Sequence, residues 1–98
     1  IDQFYTDLAR TKSRYNMYRT RLDMGQRVPI TRDEYNALRQ RYRLMDKVSR
    51  QLAELRKQQR AVLEANIPSD EKTRALRQIE LQMTNLVRYA YGKPPLSE

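Results

Sequence analysis

The apolar positions of this chain recur every three or four residues, the spacing that gathers side chains onto one side of an α-helix. Along the first stretch Ile1, Phe4, Leu8, Thr11, Tyr15, Tyr18 and Leu22 alternate steps of three and four. The alternation resumes with Tyr35, Leu38, Tyr42 and Met45, then Val48, Leu52, Leu55, Gln59 and Val62, and again with Lys72, Leu76, Ile79, Met83, Leu86 and Ala90. No segment has the period-two, β-branched alternation of a strand. Pro and Gly fall only in three clusters, Gly25–Pro29, Asn66–Pro68 and Gly92–Pro95. The pattern predicts an all-α fold of three helices, Ile1–Met24, Arg32–Ala65 and Asp70–Tyr91, paired as antiparallel coiled-coil-like hairpins that share the long central helix. Residues 1–91 read as a single helical module, and residues 92–98 as an irregular C-terminal tail because Pro94 and Pro95 cannot continue a helix.

The helix ends carry their own signals. Thr31-Arg32-Asp33-Glu34 has the spacing of a capping box, in which hydroxyl and carboxylate each satisfy an amide of the first turn. Gly25 suits the left-handed position that stops the first helix, and Ser69 ahead of Asp70-Glu71 reads as an N-cap. Folding the chain at its two loops sets Leu22 against Tyr35, Tyr18 against Leu38 and Tyr15 against Tyr42. Around the second loop it sets Val62 against Leu76, Gln59 against Ile79 and Leu55 against Met83. The successive three-residue steps around Met45 and Val48 shift the seam, so the two halves of the central helix are expected to turn different faces to their partners. Slender hairpins bury less surface than a compact domain, and reliance on a partner subunit or on self-association is expected.

Composition narrows the chemistry. The 98 residues include no His, no Cys and only two Gly, which removes zinc fingers, Cys–His nucleophiles, disulfides and glycine-rich phosphate loops. The acid pairs Asp33-Glu34 and Asp70-Glu71 sit at helix starts, where interaction with the helix dipole accounts for them. No enzymatic activity, cofactor or metal is expected. No stretch approaches the ~18 apolar residues of a membrane span, and a membrane role is not expected of this segment beyond a weaker possibility of surface binding by basic amphipathic helices.

Charge is the strongest positive signal. Twenty Lys and Arg against twelve Asp and Glu leave a net charge of +8. Residues 10–21 hold five basic side chains and no acid until Asp23, and residues 39–60 hold eight against Asp46 and Glu54. Arg10, Arg14, Arg39, Arg43, Lys47, Arg50, Arg56, Lys57 and Arg60 are the candidate contacts to nucleic-acid phosphates or to an acidic partner, since guanidinium groups bind oxyanions through paired donors. A solvated basic helix surface accounts for the same residues. Seven Tyr and one Phe supply the aromatics. Tyr15, Tyr18, Tyr35 and Tyr42 fall on seam positions and read first as hairpin core, with stacking on single-stranded bases between arginines as one functional alternative and a protein interface, through Tyr15 and Tyr18, as the other. Tyr89 and Tyr91 lie partly off the seam and are the better interface candidates.

Beyond these features, the chain opens Ile1-Asp2-Gln3-Phe4-Tyr5, with Leu8 and Tyr15-Asn16 further on. It continues through Leu52-Ala53-Glu54-Leu55-Arg56-Lys57 and closes with Ile67-Pro68-Ser69-Asp70-Glu71-Lys72 and Ile79-Glu80-Leu81-Gln82. In this order it resembles the C-terminal helical segment of very large phage and prophage proteins, among them the large polyvalent proteins and the internal virion or ejection proteins of short-tailed phages. The resemblance implies a structural virion component that docks on portal or tail subunits, contacts packaged DNA and resides in the phage particle. It carries over no site residue. A start at Ile1 rather than Met fits a processed product or a piece of a longer chain. The alternative reading is a small, basic, non-sequence-specific nucleic-acid-binding helical protein, which would be cytoplasmic.

Overall fold

The structure, a computed structural model, describes residues 1–97. It consists of α1 (Asp2–Asp23), α2 (Arg32–Glu64) and α3 (Ser69–Ala90), with no strand among the described residues. Every boundary lies within one residue of the sequence expectation. α1 packs against α2, and α2 against α3, as an all-α arrangement of helical hairpins. Contacts divide the chain into two compact units, Ile1–Lys47 and a second that begins at Val48. That division falls inside the three-residue step between Met45 and Val48 where the apolar seam shifts.

In the first unit α1 lies along the first half of α2. Phe4 and Met45 are fully buried, and Tyr15 and Tyr18 are nearly so. The Tyr15 ring is stacked between two rings of α2, with Tyr42 at 5.4 Å and Tyr35 at 5.7 Å. The expected opposition of Tyr15 and Tyr42 is therefore present. Ile1 and Leu22, expected on the same seam, are exposed. They occupy the two ends of α1, where fewer neighbouring side chains remain to cover them.

In the second unit Val48, Leu52 and Leu55 from α2 and Ile79 and Met83 from α3 are buried. All five occupy the expected seam positions, and burying each such side chain is worth roughly 1.5–3 kcal/mol.

The helix ends explain why the boundaries are so sharp. The Thr31 N–H donates to Glu34 Oε1 at 3.1 Å while the Glu34 N–H donates to Thr31 Oγ1 at 3.1 Å, a complete capping box. Gly25 has φ +73°; its N–H donates to the Leu22 carbonyl, and the Gln26 N–H donates to the Arg21 carbonyl at 2.8 Å. Gly92 repeats this geometry after α3, with φ +71° and the Lys93 N–H donating to the Arg88 carbonyl at 2.8 Å. Both glycines of the chain thus close Schellman motifs, in which only a residue without Cβ adopts the left-handed turn at low cost.

The start of α3 departs from expectation. Pro68, not Ser69, is the N-cap, with φ −57° and ψ 149°, and no side-chain cap hydrogen bond forms there. The proline ring already fixes the extended entry into the helix, and the Pro68 carbonyl accepts the first helical bond from the Lys72 N–H. The end of α2 has no basic residue in its last turn. Lys72 supplies one from α3, its Nζ donating to the Leu63 carbonyl at 3.0 Å.

Candidate functional site

An open groove of about 620 Å³ runs along one flank of the α1–α2 hairpin in the first unit. Arg10 and Arg14 stand one helical turn apart on its α1 wall, and Arg41 faces them from α2. Asp7 lies at one end, while Thr11 and Leu38 form the half-buried floor. The Thr11 hydroxyl donates to the Asp7 carbonyl at 2.7 Å, and Asp7 Oδ1 accepts from Gln3 Nε2 at 2.9 Å.

The packing register produces this grouping. With Tyr15 opposite Tyr42 in an antiparallel pair, the residue before each tyrosine falls on the same flank, which sets Arg14 beside Arg41. Arg10 joins them because it lies four residues before Arg14. Among the described residues no ion pair engages these three arginines, whereas three other exposed basic residues, Arg19, Lys57 and Arg74, are paired along their own helices. Arg19 Nε lies 3.9 Å from Asp23, Lys57 Nζ 4.0 Å from Glu54, and Arg74 Nη2 3.2 Å from Asp70. Three guanidinium groups and one carboxylate around an open groove form an anion-attracting surface.

The remaining basic candidates are dispersed. Arg43 and Lys47 are exposed in the first unit, and Arg50, Arg56, Lys57 and Arg60 are exposed in the second. Arg39 is partly buried, and its Nε is dry and without a hydrogen-bond partner. It belongs to the surroundings of the tyrosine stack. Burial raises the Tyr35 phenol above its ordinary 10.0, the neighbouring Tyr15 hydroxyl adds to the rise, and the charges of Arg39 and Arg19 oppose it.

Of the tyrosines named as interface candidates, Tyr15 and Tyr18 lie in the hairpin interior, where a partner would not reach their rings. Tyr91 is half-buried, and Tyr89 is 60% exposed beside the segment that follows α3. Arg41 was one of eight charges in a basic run, and nothing in its immediate neighbours distinguishes it. The register of Tyr15 on Tyr42 is the signal that selects it.

Among the described residues no cluster of three or more acids is placed to hold a metal ion, and no helix is long and apolar enough to cross a membrane. No family model matches the chain, and no curated protein or solved structure is significantly similar to it.

Proposed function

We propose that this chain is a non-catalytic structural module of a virion, docking on neighbouring protein subunits and contacting nucleic-acid backbone through the arginine groove of its α1–α2 hairpin. The groove is the observation that supports the contact: Arg10, Arg14 and Arg41 converge without ion-pair partners on a surface open to solvent. Such an arrangement engages phosphates by charge and paired donors and reads no base sequence. The virion setting rests on the resemblance of the helical sequence to internal virion and ejection proteins. A stand-alone nucleic-acid-binding protein is the second reading, favoured by the groove's being complete within one hairpin.

The test is fluorescence anisotropy of a short duplex DNA titrated with the chain over a range of salt. Exchanging Arg10, Arg14 and Arg41 together for Gln should weaken binding and reduce the slope of log affinity against log salt by about 3, at roughly 0.9 per lost phosphate contact. Exchanging the ion-paired Arg74 for Gln should leave the slope unchanged. An unaltered slope in the triple variant would remove the groove from DNA binding. Peptides from purified particles that run upstream through Ile1 are expected of a virion segment, whereas a free cytoplasmic form starting just before Ile1 is expected of the stand-alone protein.

A further inference from the structure

Two side chains of α3 hold main-chain atoms of the segment that follows it. The Leu96 N–H donates to Asn85 Oδ1 at 2.7 Å, and Asn85 Nδ2 donates back to the Leu96 carbonyl at 2.9 Å. One turn along, Arg88 Nε donates to the Pro94 carbonyl at 2.8 Å. A carboxamide that grips both N–H and C=O of one residue reproduces what a neighbouring β-strand offers, and it does so whatever side chain that residue carries. Pro94 and Pro95 suit the arrangement. They have no N–H to leave unpaired, and their fixed φ holds the strand extended before it docks. Gly92 turns the chain sharply enough to bring the strand back along the helix. All three side-chain bonds are solvent-exposed, Tyr89 is largely exposed and Leu96 is about half exposed. Exposed bonds of this kind open readily.

We propose that Asn85 and Arg88 form a binding site for an extended, proline-containing peptide, occupied in cis by Pro94–Leu96 and exchangeable for a segment of the same chemistry from a partner protein. The cis strand defines the ligand: a carbonyl two residues ahead of a residue that offers both N–H and C=O, with proline keeping the intervening backbone extended. Exposed Tyr89 and the apolar side chain at the Leu96 position give the incoming segment a surface to cover. The site lies on α3 and is independent of the arginine groove.

The experiment uses the full chain and a fluorescein-labelled peptide, Gly-Lys-Pro-Pro-Leu-Ser. Leu96→Pro removes the N–H that the cis strand donates to Asn85, outside any helix, so far-ultraviolet circular dichroism should be unchanged. The L96P chain should bind the peptide about tenfold more tightly than the wild-type chain, because one lost hydrogen bond frees the site. Adding Asn85→Ala to L96P should abolish the gain, and adding Arg88→Gln should reduce it. The Leu96 amide of the wild-type chain should exchange with solvent more slowly than in the free peptide. No saturable binding to L96P at millimolar peptide would overturn the proposal. Equal binding with and without Asn85, or a Leu96 amide exchanging at the free-peptide rate, would overturn it as well.

Discussion

The rings of Tyr15 and Tyr42 lie 5.4 Å apart and within 25° of parallel, which locks the register between α1 and the first half of α2. Tyr15 is 8% exposed, so the contact removes most of a large aromatic surface from water. Tyr15→Ala should lower stability by about 3 kcal/mol through lost burial and the cavity left behind. A double-mutant cycle with Tyr42→Ala should return a coupling of about 1 kcal/mol in urea unfolding. Additive effects would mean that the stacking contributes nothing beyond burial.

This register marks where the sequence could be read and where it could not. The three- and four-residue steps located all three helices, because an amphipathic period and strong end signals such as Thr31 and Gly25 act locally. They also placed the buried set, from Met45 through Met83. Ser69 misled because serine is a common N-cap, while the geometry of Pro68 makes a hydroxyl cap unnecessary. The groove needed one further step: basic residues surround these helices, and only the pairing of α1 with α2 separates Arg10, Arg14 and Arg41 from the others. The docking of Leu96 on Asn85 was not legible, since a lone Asn in a helix and a Pro-Pro segment leave no periodic trace.

The two left-handed glycines give a clean test of backbone cost. A Cβ built on Gly25 or Gly92 meets no atom within 4 Å, so substitution meets no packing clash. Gly25→Ala should nonetheless cost about 1 kcal/mol in thermal or urea unfolding, because an L-residue with Cβ is strained at φ +73°. Gly25→Asn should cost less, since Asn tolerates this region. A neutral Gly25→Ala would indicate that the end of α1 relaxes out of the Schellman motif.

The capping box should behave as a reciprocal unit. Thr31→Ala removes the acceptor for the Glu34 N–H and should destabilise the first unit by about 1 kcal/mol. Thr31→Ser retains the hydroxyl and should be close to neutral. Glu34→Ala leaves the Thr31 N–H without its carboxylate and should weaken the effect of a subsequent Thr31→Ala, a non-additivity readable in the same unfolding experiments.

Tyr35 ties stability to alkaline pH. Its phenol is held above 10.0 in the folded chain, chiefly by burial, so the folded state favours the protonated form relative to the unfolded state. That contribution is fully present below pH 10 and is lost as pH rises from the unfolded value through the raised folded one. Tyr35→Phe cannot ionise and should make the alkaline decline in stability shallower, with little change at neutral pH. Ultraviolet titration should lose one tyrosine that ionises above pH 10.0 in the same variant. An unchanged alkaline limb would assign the decline to other groups.

Lys72 joins α3 to the end of α2, and its contribution is separable from its packing. The stem occupies a seam position and is half-buried, while the ammonium reaches the Leu63 carbonyl at 3.0 Å. Positive charge there opposes the negative end of the α2 dipole, which has no base of its own in the last turn. Lys72→Met preserves the apolar stem and removes only the charge and the hydrogen bond. It should lower stability by about 0.5–1 kcal/mol at low ionic strength, and the difference should narrow towards 1 M salt as the dipole interaction is screened. Lys72→Arg should restore most of the loss. A Lys72→Met deficit that does not respond to salt would place its origin in the hydrogen bond to Leu63 rather than in the charge.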